Sequence, residues 1–150
     1  MLDGGEAIRK LALNVARLSG LAPIAGPFVG GVGAILMLHR VTSAPPTPLG
    51  LNRHRAITPQ FLDAVIGDMK KRGYEFVTLD EAIARLGETG GRHRFATITA
   101  DDGYRDNLTE ALPVLERHQA PCTIYVAPSL INGTVELWWD LIEELVTVKD

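Results

Sequence analysis

Phe95-Ala96-Thr97-Ile98-Thr99-Ala100-Asp101-Asp102-Gly103 is the stretch that decides the fold. It reads as a buried strand ending abruptly in two carboxylates and a glycine. Phe95, Ile98 and the threonines suit a pleated, packed surface. Asp101 and Asp102 do not, because burying ionised carboxylates without partners costs several kcal/mol or forces protonation. Adjacent carboxylates also raise each other's proton affinity. A metal ion or a tight hydrogen-bond network removes that penalty. Gly103 permits a sharp turn or the close approach of another group. Acids at the C-terminal end of a parallel strand lie where α/β folds place their chemistry. An acidic turn capping a helix that starts near Asp106 or Asn107 fits the same residues.

Outward from this stretch, apolar runs alternate with helical patterns. Ala34-Ile35-Leu36-Met37-Leu38 reads as a first strand, followed by His39-Arg40 and a long loop holding Pro45, Pro46, Pro48 and the basic run Arg53-His54-Arg55. Loops of that length are often lids or binding segments. Thr58-Pro59 opens a helix as N-cap and first-turn proline, Phe61, Leu62, Val65, Ile66 and Met69 form its apolar stripe, and Gly73 ends it. Glu75-Phe76-Val77 predicts a short strand. Thr78 and Glu81 make a capping-box pattern for a helix carrying Leu79, Ile83 and Leu86. Gly90-Gly91-Arg92-His93-Arg94 reads as the turn before the central strand. After Gly103 comes a helix with Leu108, Ala111, Leu112 and Leu115, in which Pro113 demands a late start or a kink. Cys122–Val126 is a further strand and Trp138–Val146 a final helix. Short continuous apolar strands alternating with helices predict a parallel sheet covered on both faces.

Ahead of this, residues 3–18 form a weak amphipathic helix with Ile8, Leu11, Val15 and Leu18 at helical spacing. From Leu18 to Leu38 no residue is charged, a length that invites a membrane span. The glycines and prolines within it weaken any helix, so it reads as an irregular connection. Asp3 and Glu6 stand where a secretory leader needs basic residues. A cytoplasmic location without membrane attachment is therefore expected. The chain of 150 residues carries a net charge of −3, which argues against nucleic-acid binding. Cys122, the single cysteine, is expected to be a packed thiol.

Thr99-Ala100-Asp101-Asp102-Gly103-Tyr104-Arg105-Asp106-Asn107 resembles the signature of the polysaccharide deacetylases, the NodB-homology domain of carbohydrate esterase family 4. Ile35–Val41, Ile57–Phe61, Val77–Glu81 and Ala120–Val126 resemble its flanking segments in order, so the likeness covers residues 34–145. An acidic motif with these neighbours is a specific signal, whereas a bare Asp-Asp-Gly is weak. Ala100 stands where the family usually has phenylalanine. The resemblance implies a distorted (β/α) barrel that removes acetyl groups from an acetylated carbohydrate. It implies Asp101 as general base and Asp102 as ligand to a divalent metal, zinc in a complete domain. His39, Tyr104, Trp138 and Trp139 are candidate pocket-lining residues. Single histidines after strands are otherwise often structural, and tryptophans are as often core or interface anchors.

The family's His-x-x-x-His ligand motif does not occur, since His39, His54, His93 and His118 have other spacings. The family's later arginine and general-acid histidine motifs are missing too. The expectation is therefore an N-terminal helix and connection over 1–33, then the N-terminal part of a deacetylase domain over 34–150, a partial barrel inactive by itself. Its unpaired strand edges predict self-association. A non-catalytic module that binds sugar or packs on a partner is the competing reading. A receiver-type phosphoacceptor fits poorly, because its acids follow the first strand and its lysine a late one.

Overall fold

The computed structural model describes residues 31–87 and 94–147, together with Gly5, Ile8, Lys10, Leu11, Asn14, Val15 and residues 18–20. The expected turn over Gly90–His93 and most of the Gly/Pro-rich connection lie outside the described residues. The chain divides into two compact units, Met1–Gly31 and Val32–Asp150. In the first, Ile8, Leu11, Val15 and Leu18 are helical, as their spacing predicts.

The second unit is a parallel α/β fold. Its elements are β1 (Gly33–Leu38), β2 (Arg40–Val41), β3 (Ala56–Ile57), α1 (Pro59–Lys71), β4 (Tyr74–Phe76), α2 (Leu79–Gly87), β5 (Arg94–Ala100), α3 (Leu112–Arg117), β6 (Cys122–Ile124), α4 (Pro128–Ile131) and α5 (Trp138–Thr147). A short 3-10 turn, Arg53–Arg55, precedes β3. β5 is central. β1 runs parallel to its whole length, from Gly33 opposite Phe95 to Leu38 opposite Ala100. On the other edge, β4 pairs with its first half and β6 with its second. β2 and β3 form a separate parallel pair.

Local chemistry sets the helix ends. The Thr58 hydroxyl accepts the Phe61 N–H, capping α1, and Gly73 leaves the helix at φ +82°. The Thr78 hydroxyl accepts the Glu81 N–H in the same way. Before α3, residues Asn107–Ala111 adopt a π-helical turn, and Pro113 falls in the first turn of α3. The wider turn adds a residue to the helical repeat and suits a proline that has no N–H to give. It also corrects the expected stripe. Ala111, Val114 and Leu115 are buried, while Leu108 turns outward.

One face of the sheet carries the core. Ala96 and Ile98 of β5 pack with Leu62 and Ile66 of α1, Val114 and Leu115 of α3, and Leu36 and Leu38 of β1. Val77 and Ala82 form a smaller cluster with Phe95. The expected cover on both faces holds for β5, whose Phe95, Thr97 and Thr99 are buried along with Ala96, Ile98 and Ala100, but not for β1. Ile35 and Met37, on the opposite face of β1, are 64% and 60% exposed. Because β1 and β5 are in register, these residues stand beside Thr97 and Thr99, whereas α1 and α3 stack on the alternate residues. Cys122 is half-buried, and burial pushes its thiol up from the usual value.

Ile66 is fully buried at the contact between α1 and β5. Ile66→Ala is expected to cost about 2–5 kcal/mol, as large-to-small changes in a packed core do. Urea unfolding of the two proteins measures it. A loss below about 1 kcal/mol would mean that this contact collapses freely or is not packed.

Candidate functional site

The site is built where β5 stops. The Asp101 N–H donates to the Leu38 carbonyl at 2.9 Å, so β1 and β5 end together. His39 and Asp101 therefore leave the sheet side by side at its C-terminal end, with Asp102 next along the chain. Asp102 and Gly103 both have positive φ, +69° and +67°, the sign pattern of a type I′ turn. Aspartate tolerates that region better than most residues, at a cost of order 1 kcal/mol. Gly103 serves both purposes expected of it. Besides its φ, a Cβ there would lie 2.9 Å from Cγ1 of Val126.

Asp102 is not left unbalanced. One of its carboxylate oxygens accepts from Nη2 of Arg55 at 2.7 Å, with the two side chains 21% and 16% exposed. The guanidinium also lies 4.1 Å over the ring of Trp139. Nε1 of Trp139 donates to the Tyr104 hydroxyl at 2.8 Å, and that hydroxyl donates to Asp140 at 3.0 Å. Burial raises the Tyr104 pKa, the Trp139 donor opposes the rise, and Asp140 reinforces it. Trp138 stands edge-on to Trp139 and is exposed. One face of the Trp139 ring carries Arg55.

A second ion pair runs alongside. Nε of Arg40 bonds Oδ2 of Asp106 at 2.8 Å, and the Arg40 guanidinium lies 4.9 Å from the Tyr104 ring centre. Burial works against the Arg40 cation, but Asp106 outweighs it and raises the pKa. Buried Asn107 donates its side-chain N–H to the His39 carbonyl at 3.0 Å. The turn after β5 thereby grips the chain leaving β1.

The long loop between β2 and β3 is stapled to this frame by carboxylates. Glu110 accepts from the Thr42 hydroxyl at 3.1 Å and from the Ser43 N–H at 2.6 Å. Buried Glu143 of α5 accepts from the Thr47 hydroxyl, from the Leu51 N–H at 2.9 Å and from the Asn52 amide at 2.8 Å. The Thr47 bond is the foremost cause of a lowered Glu143 pKa; burial opposes it, and the Leu51 and Asn52 donors reinforce it. The loop then delivers Arg55 onto Asp102. Glu110 and Glu143 were not identified as site residues from the sequence. The signal for Glu143 is its place one helical turn after Trp139.

Two cavities flank the pair. One of about 570 Å³ lies between the loop and α5, with Arg40, Asn52, Arg55, Tyr104, Asp140 and Glu143 in its wall. The other, of about 500 Å³, is lined by Asp102, Gly103, Tyr104 and Arg105 with Leu137 and Asp140. These volumes fall within the range of small-molecule sites. Among the described residues no three His, Cys, Asp or Glu side chains group so as to hold a metal ion. Asp102 faces a guanidinium. The donor set of the described residues does not fit a resident divalent ion. No described helix is long and apolar enough to cross a membrane.

Residues 89–148 match the family model of polysaccharide deacetylase. The fold is similar to that of the Streptococcus pyogenes deacetylase PplD in complex with acetate, at 25% identity and a TM-score of 0.53 over 65% of this chain. It is also similar to IcaB from Ammonifex degensii, at 25% identity and a TM-score of 0.52 over 63% of this chain. The likeness spans only 43% of the PplD chain and 37% of the IcaB chain. No curated protein matches. The resemblance read from the acidic motif is borne out: the chain resembles part of a polysaccharide deacetylase domain of the NodB type.

Glu143 supplies a pH test. Its folded-state pKa is lowered, so its stabilising bonds are present above the carboxylate's unfolded pKa of about 4.3 and are lost as pH falls through the lowered value. Glu143→Gln is expected to lower the protection of the Leu51 amide, its exchange rate relative to the intrinsic rate at the same pH, by about tenfold at neutral pH, and acid is expected to lower that protection in the wild type. Equal exchange in both proteins at neutral pH would show that Glu143 does not hold the loop.

Proposed function

We propose that this chain forms part of a carbohydrate deacetylase site, in which Asp101 is the general base and Asp102 the charged neighbour that orients the turn. The observation carrying the reading is the adjacent pair at the C-terminal end of the central strand, inside the family-matched residues, with Asp102 in the wall of a cavity of ligand size. Hydrolysis of an acetyl group needs a base for the attacking water. Asp101 can take that proton. It also needs an electrophile for the acyl oxygen. The divalent ion implied by the resemblance would polarise that oxygen, but the described residues do not assemble its donors. In this reading the remaining donors, zinc ligands among them, belong to a longer protein, and the barrel is completed by strands covering the Ile35 and Met37 face. The substrate is an acetylated saccharide such as a chito-oligosaccharide, with His39 and Tyr104 near it and Trp138 free to stack.

A second reading has its own observation. The occupied Asp102 and the exposed Ile35–Met37 face also suit a non-catalytic module that binds sugar or packs on a partner or a second copy through that face.

Acetate release from acetylated chito-oligosaccharides separates the two. The chain alone is expected to release none. A protein joining it to the missing donors is expected to be active and to lose about 10²–10⁴-fold in kcat on Asp101→Asn. Release that is unchanged by Asp101→Asn would remove Asp101 as the base.

A further inference from the structure

The half-buried contact between Arg55 and Asp102 has a consequence independent of acetyl hydrolysis. The guanidinium is held on several sides. Asp102 accepts from it at 2.7 Å, and the Trp139 ring lies against it at 4.1 Å. Its backbone is the last residue of the 3-10 turn that leads into β3. The loop ahead is pinned by Glu143 through Thr47, Leu51 and Asn52, and Asn52 also donates to the Trp139 carbonyl at 3.0 Å. A planar guanidinium fixed in this way loses little further freedom on pairing with a carboxylate.

We infer that Arg55 is the built-in counter-cation of Asp102 and excludes a divalent cation from that carboxylate until it is displaced. A dication ligated by Asp102 would sit within a few ångströms of the guanidinium. A dication this close to a fixed guanidinium is repelled twice as strongly as a univalent cation, enough to weaken its binding by at least about tenfold even where water screens the charges. Arg55 is thus a positioning residue: it orients the Asp102 carboxylate in its left-handed turn and sets which cation reaches it. The inference concerns what balances Asp102 and stands whether or not the chain hydrolyses acetyl groups.

The test is Mn²⁺ binding to the whole chain, followed by electron paramagnetic resonance of the free ion. Arg55→Met keeps an unbranched side chain of similar reach and removes the charge that lies over Trp139. It is expected to bind Mn²⁺ at least about tenfold more tightly than the wild type. Arg55→Lys, which keeps the charge, is expected to stay as weak as the wild type. Asp102→Asn added to Arg55→Met is expected to abolish the gain. Should Arg55→Met fail to unfold cooperatively, Arg55→Gln carries the same expectation. A neutral variant that folds and binds no more tightly than the wild type overturns the inference. So does an Arg55→Lys that gains as much as Arg55→Met, since the charge would then be irrelevant. Loss of activity in a longer protein with these bindings unchanged would bear on the deacetylase reading alone.

Discussion

The arrangement of the site rests on the ion pair between Arg55 and Asp102. It joins residues 47 positions apart in sequence, one at the end of the long loop and one just past the central strand. Neither end is favourable alone. Asp102 sits in the left-handed region after a buried strand, and Arg55 is 16% exposed against an aromatic ring. A half-buried charge without its partner is costly, so each holds the other in place. The staples along the loop make the meeting possible. Glu110 fixes the loop's start, Glu143 its middle, and the pairing of β2 with β3 returns the chain to the frame.

The elements behind this pair act as a scaffold. β5 is buried over nearly its whole length, and its register with β1 brings His39 and Asp101 off the sheet together. The turn after it carries Asp106, Asn107 and Glu110, which reach Arg40, His39 and Ser43 respectively. One short segment thus terminates the strand, supplies both acids and grips the neighbouring chain. The similarity to a deacetylase in complex with acetate fits this placement, since chemistry in parallel α/β folds gathers at the C-terminal ends of strands.

Much of this was legible in the sequence because it depends on local rules. Thr58-Pro59 marks a helix start through capping, Gly73 its end through a positive φ, and Phe95–Gly103 a buried strand ending in a turn. The acidic motif and its flanks carry enough family pattern for the deacetylase resemblance to be read before any coordinates. What the sequence hid is long-range. Nothing in Arg53-His54-Arg55 says which basic residue meets Asp102, and only its place one helical turn after Trp139 hints that Glu143 turns inward. Charged residues at such positions ordinarily face water. The outward turn of Leu108 was hidden by the π-helical turn, which shifts the helical phase where a regular repeat was assumed. The uncovered face with Ile35 and Met37 was hidden because continuous apolar strands predict cover without naming what supplies it.

The central claim is that Arg55 and Asp102 depend on each other. A double-mutant cycle on folding stability measures this directly, with Arg55→Met, Asp102→Asn and the pair compared by urea unfolding. Residues in one ion-pair network typically couple by 0.5–3 kcal/mol. The account predicts a coupling of about 1 kcal/mol or more at low salt, with the double variant more stable than the sum of the single losses allows. Strictly additive losses would contradict it, because the two charges would then be screened from each other in the folded protein.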